Sequence, residues 1–131
     1  MAGYDRLTHE GKRFYAEIEK LKRLECRVGF QSGKEVSEDN VDICDIAIFN
    51  ELGTVDIPSR PFMRMSVDKN TSKINTFCKN QLSRLAAGHT AKDVLNAIGV
   101  FAKSLIQDEI TDGQFVPNAP STIRKKKSDK P

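Results

Sequence analysis

Glu25-Cys26-Arg27-Val28-Gly29-Phe30-Gln31 alternates strictly, with Cys26, Val28 and Phe30 on one face and charged or small residues on the other. A period of two is that of a half-buried strand. The other periodic stretches of the chain have helical spacing, so this heptapeptide decides between an all-helical protein and one with a sheet. A lone strand leaves its backbone amides unpaired. Its partner has to come from residues 32–41, from 114–123, from beyond the chain or from another subunit. The fold class that follows is α+β, about four helices packed on a small, mostly antiparallel sheet.

Before the strand, Leu7, Phe14, Tyr15, Ile18 and Leu21 recur at three- and four-residue steps, which predicts an amphipathic helix over about 8–23. After it, Ser32 to Asn40 is polar and contains Gly33, Glu35, Glu38 and Asp39, a solvated and mobile loop. Asp42 caps a short helix to about 52 that buries Ile43, Ile46, Ala47 and either Phe49 or Leu52, and Gly53 ends it. Thr54 to Arg60 is a forced loop, since Pro58 and Pro61 each remove a backbone donor and push the preceding residue into extended geometry. Pro61 suits the first turn of a helix that runs to about Ala87. Its inward positions are Phe62, Met65, Ile74, Phe77, Cys78, Leu82 and Leu85, and Asn70-Thr71-Ser72 is the place for a break or kink. Gly88 closes it. Thr90-Ala91-Lys92-Asp93 resembles a capping box with Asp for Glu and opens a last helix over about 91–112. Beyond Gly113 the periodicity stops, so residues 1–113 read as a single α+β domain and 114–131 as an extended basic arm.

The 131 residues fit one domain, and 38% hydrophobic content suits a soluble one. The longest apolar runs, such as Ile46-Ala47-Ile48-Phe49, are far short of the roughly 20 residues that cross a bilayer. Met1-Ala2-Gly3-Tyr4-Asp5-Arg6 meets charge at once and has no apolar signal segment, which places the product in the cytoplasm of the cell that makes it. Cys26, Cys44 and Cys78 match neither a disulfide framework nor a zinc pattern and read as buried free thiols. The net charge of +3 is a property of the tail: residues 122–131 carry net +4, and residues 1–121 carry 16 basic against 17 acidic side chains. A body this near neutrality argues against a globular DNA-binding surface, while Arg124, Lys125, Lys126 and Lys127 offer the arm a way to touch phosphates.

No set of residues assembles into chemistry. His9 and His89 lie at helix ends in polar surroundings. Asp42 with Asp45, and Asp108 with Glu109 and Asp112, read as capping or solvated carboxylates. There is no glycine-rich phosphate loop and no nucleophile elbow. The expectation is a protein that is not an enzyme, with no catalytic residue, cofactor or metal.

The stretch that carries most information is Ile46 to Arg64: a helix stop, a proline-bracketed turn, an arginine between two prolines and an aromatic at the next helix start. Two readings stand. In one, Phe62 plugs the core while Glu51 pairs with Arg60 or Arg64 to pin the turn. In the other, Arg60 and Arg64 point outward to a partner. Ion pairs near a surface contribute little, which favours neither strongly.

Asn50-Glu51-Leu52-Gly53-Thr54 followed by Ile57-Pro58-Ser59-Arg60-Pro61-Phe62-Met63-Arg64 resembles the N-E-[FLH]-G-T…I-P-[AS]-R-P-F-[LM]-R signature of tailed-phage minor tail components. These are tail-completion or neck proteins, grouped with the virion morphogenesis proteins of Mu-like phages. Pro117 to Pro131 is similar to the family's P-L-S-x-x-T-I-x-x-K…K-P stretch, with Asn118-Ala119-Pro120 replacing the leucine before the serine. In the family that stretch runs on into L-I-D-T-G and a final strand pair, and this chain stops before them. The resemblance spans about 24–131 and implies a structural virion protein of the tail or neck, made in the bacterial host cytoplasm. It further implies a homo-oligomeric ring that meets tail-tube, tail-terminator or head-connector proteins, with no membrane contact. Asn50, Glu51, Gly53, Thr54, Pro58, Pro61 and Phe62 would be the structural motif, and Arg60, Arg64, Arg124, Lys125, Lys126 and Lys127 the partner-binding residues. The contact elements would be the 32–41 loop, the Ile57–Arg64 corner and the 114–131 arm. A nucleic-acid-binding accessory protein that uses the basic arm is the alternative.

Overall fold

The computed structural model describes residues 8–37, 39–113 and 115. Five helices carry the chain: α1 (His9–Leu21), α2 (Ile43–Leu52), α3 (Phe62–Lys69), α4 (Thr71–Ala86) and α5 (Ala91–Asp112). Of the described residues 65% are helical, and they contain no strand and no sheet. The α+β expectation is therefore corrected to an all-helical fold.

The reason lies in the missing partner. Residues 24–28 run free of regular structure, and no backbone amide of 25–31 bonds to another backbone carbonyl among the described residues. The nearest candidate partner folds on itself: Val36 and Asp42 form an isolated antiparallel bridge, Ser37 N–H donates to the Val41 carbonyl (2.8 Å) and Ile43 N–H to that of Glu35 (3.0 Å). The apolar members of the alternating stretch meet helices instead. The Phe30 ring stands edge-on to Phe62 at 6.0 Å and 88°, and the Cys26 sulfur lies where a Cβ on Gly99 would stand, 2.8 Å from it. Alternation marks sides of a backbone, and here two residues of the apolar side meet helices.

The loop before α2 is pinned as well as solvated. One oxygen of Asp42 accepts from Gly33 N–H (2.7 Å) and Ser32 Oγ (3.2 Å), and the other accepts from Cys44 N–H (2.9 Å) as the cap of α2. Those amides, Gly33 first, hold the Asp42 carboxyl below its ordinary range. The helix expected over 61–87 is two helices. The Asn70 side chain donates to the Ser66 carbonyl (2.7 Å) while its own backbone leaves the helical region, so α3 stops and α4 begins at Thr71.

The chain divides into two compact units, one of residues 1–28 and 71–102, the other of 29–70 and 103–131. In the first, α1 packs on α4, and Leu85, Ala91 and Val94 are buried with the polar Glu17 and Gln81. Four residues apart on α1, two charges hold the α4–α5 turn. The Arg13 guanidinium donates to the carbonyls of Leu85 and His89, and Glu17 Oε2 accepts from Ala91 N–H (2.7 Å). A cation on the C-terminal carbonyls of one helix and an anion on the first amide of the next satisfy both groups and both helix dipoles. Thr90 and Asp93 bond reciprocally at the start of α5 (3.1 and 3.2 Å), the capping box read from the sequence. Phe77 stacks on Phe101 with centroids 4.2 Å apart. In the second unit α2 packs on α3, Ala47 and Phe62 are buried with Arg60, Ser66 and Glu109, and Lys69 Nζ reaches Glu109 at 2.7 Å.

Candidate functional site

The corner between α2 and α3 is built by its own polar residues. Gly53 closes α2 at φ 76°, and a Cβ there would stand 2.8 Å from Ser59 N, so both the backbone angle and the returning chain require glycine. Thr54 N–H donates to the Ile57 carbonyl (2.8 Å) and Thr54 Oγ1 accepts from Ile57 N–H (3.0 Å), which closes the turn. Ser59 Oγ donates to the Glu51 carbonyl (2.8 Å). Asn50 is bonded three ways. Its side-chain nitrogen donates to the Ile46 carbonyl (2.9 Å), its own carbonyl accepts from Arg60 N–H (2.5 Å), and its Oδ1 accepts from Arg60 Nη1 (3.4 Å).

Glu51 does what Pro61 cannot. The residue before α3 is Pro61, whose side chain offers no acceptor, so the first amides of the helix need one from elsewhere. The two Glu51 carboxylate oxygens accept from Met63 N–H (2.9 Å) and Arg64 N–H (3.1 Å). A helix end is thus capped by an anion from the preceding helix, with the sign that the helix dipole favours.

The expected roles distribute as follows. Asn50, Glu51, Gly53, Thr54 and Phe62 all shape the corner, and Phe62 is buried. Pro61 occupies the cap position of α3, and Pro58 is an exposed turn residue. Arg60 is 7% exposed and turned inward to Asn50, whereas Arg64 is exposed on the first turn of α3. The outward face of the corner therefore belongs to Arg64. Arg124, Lys125, Lys126 and Lys127, with the arm they belong to, lie outside the described residues. Beneath the corner is an apolar cavity of about 120 Å³ lined by Phe30, Ile46, Ala47, Phe62, Ile110 and Phe115, with Asn50 and Arg60 at its wall. It is smaller than the several hundred Å³ of an ordinary ligand pocket. Among the described residues no group of three or more His, Cys, Asp or Glu side chains is placed to hold a metal ion, and no helix is long and apolar enough to cross a membrane.

The sequence reading missed the outer face of α2. Leu52 is 74% and Val55 103% exposed, and Ile48 and Phe49 are nearly half exposed. A signal was present: Ile43-Cys44-Asp45-Ile46-Ala47-Ile48-Phe49 is apolar on every side, the composition of a helix covered all round. The inward expectation for Phe49, Leu52 and Leu82 fails for that reason, since a single chain covers only one face of each helix.

No protein-family model matches the sequence, and no curated protein or solved structure matches it.

Proposed function

We propose that this chain is a structural protein of a tailed-phage or prophage particle, acting in tail completion or head–tail joining as a homo-oligomeric ring at the neck or tail end. Its partners are copies of itself and tail-tube, tail-terminator or head-connector proteins, and its place is the virion. The observation that carries the reading is the order and spacing of Asn50-Glu51-Leu52-Gly53-Thr54 and Ile57-Pro58-Ser59-Arg60-Pro61-Phe62-Met63-Arg64. The bonds of the corner give that pattern a physical cause. Asn50, Glu51, Gly53, Thr54, Ser59 and Arg60 fix the backbone and Phe62 plugs the unit beneath it, as a rigid assembly part requires. The 25–31 stretch, whose amides bond to no backbone carbonyl among the described residues, and the exposed α2 face add backbone and apolar surface of the sort that neighbours cover.

The test is electron microscopy of particles from a phage or induced prophage that carries this gene with a stop codon at Glu10. Full heads beside unattached or overlong tails are expected. Normally joined virions overturn the proposal and bring forward DNA binding by Arg124 to Lys127. That alternative predicts an affinity that falls steeply with salt and is lost on deleting 122–131.

A further inference from the structure

The two compact units carry opposite charge. Residues 1–28 and 71–102 hold 11 basic and 6 acidic side chains, net +5, whereas residues 29–70 and 103–131 hold 10 basic and 12 acidic, net −2, or net −6 over 29–70 and 103–115 without the basic arm. The near-neutral body is the sum of two strongly charged halves.

Each half also presents apolar surface of its own shape. On the acidic unit, Asp45, Ile48 and Leu52 follow one another along one side of α2, and Val55 and Asp56 continue it into the turn, all of them exposed. On the basic unit, α4 and α5, with Leu21 of α1, line an open groove of about 580 Å³. Leu85 and Val94 are fully buried in it, Leu82 is half exposed and Lys79 is solvated. A ridge with carboxylates at its edges matches a groove with an ammonium at its wall.

We infer that these are the two halves of a head-to-tail contact between copies of this chain, with the α2 ridge of one copy seated in the α4–α5 groove of the next. The inference rests on the oligomeric reading above and adds the surfaces that make the contact. Opposite charge selects the second copy as the occupant: a ridge facing another ridge would set Asp45 and Asp56 against the same carboxylates, whereas the groove offers the Lys79 ammonium. Such a contact is heterologous, so it repeats from copy to copy until rotation closes it. Apolar burial holds the pair, and the charges set its orientation and its salt dependence.

The experiment is sedimentation velocity of the purified full chain over a range of concentrations, at low and high salt. Wild-type protein is expected to associate beyond dimers, and less so at high salt. Leu52→Asp spoils the ridge and Leu82→Asp the groove, both at exposed positions, with circular dichroism as the check on folding. Each alone should weaken association by at least roughly tenfold, as loss of a central contact residue does. Mixed together they should form dimers and stop there, because each pair joins one intact ridge to one intact groove. Lys79→Glu is a second groove variant, expected to weaken association in the same direction. Wild-type protein that stays monomeric at every concentration overturns the inference. So does a Leu82→Asp and Lys79→Glu pair that both assemble like wild type, or a mixture that stays monomeric. Purified protein alone decides this contact and particle morphology decides the function, so either can fail while the other stands.

Discussion

At the scale of the residue, the most consequential side chain is Glu51, because it joins two helices without touching another charged side chain in the bonds that define its place. Its oxygens take the Met63 and Arg64 amides, which Pro61 leaves without a cap. Glu51→Ala should therefore cost about 1 kcal/mol, the usual cost of a lost helix cap, and Glu51→Gln less, since an amide oxygen still accepts one bond. Urea midpoints of the two variants against wild type measure the difference; equal losses would mean that the carboxylate acts by charge alone. Gly53→Ala should be worse, about 2 kcal/mol, because the positive φ and the approach of Ser59 N oppose a Cβ together. These roles were half legible in the sequence. Gly53 and Phe62 announce themselves by type and position. Glu51 reads as an ion-pair partner, since its acceptance of amides from another helix depends on where the turn returns the chain.

At the scale of the element, α1 is a clasp on the α4–α5 turn, with Arg13 on carbonyls and Glu17 on an amide. Arg13→Met should destabilise the first unit by about 1.5 kcal/mol through loss of charge-assisted bonds to backbone. The acidic side of the clasp gives a pH dependence. Bonds from Ala91 N–H and then Lys20 hold the Glu17 carboxyl below its ordinary value of 4.5. Asp93, held by the Thr90 amide and hydroxyl, and Asp42, held by the Gly33 and Cys44 amides, lie below theirs of 3.8. Depressed folded values mean that the unfolded chain binds protons first. The stabilisation is complete above about pH 5 and is lost as pH falls through 4.5 and 3.8 toward the folded values. Urea midpoints between pH 7 and pH 3 should fall with acid, and Glu17→Gln should flatten the upper part of that fall. A variant curve parallel to wild type would remove Glu17 as a contributor. Here the sequence was legible where the rule is local: α5 follows the predicted 91–112, and Asp42 and Thr90 cap as read. It was misleading where the outcome depends on a distant partner. Residues 25–31 have strand alternation and found helices, whereas the break read at Asn70-Thr71-Ser72, a local one, separates α3 from α4.

At the scale of the whole molecule, the notable property is how much apolar surface the chain leaves to solvent beside how little it buries. Among the described residues Leu85, Ala91, Val94, Ala47 and Phe62 are the buried apolar ones, while Leu52, Val55, Val67 and Val100 are each more than half exposed. Composition anticipates neither, because 38% hydrophobic content does not say how many helix faces find cover. Within that surface, Arg60 and Arg64 separate folding from assembly. Arg60 is buried against Asn50 beside a cavity already of about 120 Å³. Truncation there enlarges the cavity and strips bonds from the corner, so Arg60→Ala should cost about 2 kcal/mol of stability. Arg64 is exposed and lends its backbone amide, not its side chain, to the corner. Arg64→Ala should accordingly change stability by less than about 0.5 kcal/mol. If the proposed function is right, the same substitution lowers the yield of joined virions, because the outward face of the corner has lost its cation. Thermal melts together with plaque titres of the two variants decide the matter. A stable Arg64→Ala protein with full titre would confine the corner to a purely architectural role, whereas a stable protein with reduced titre would mark α3's first turn as a surface that another virion protein meets.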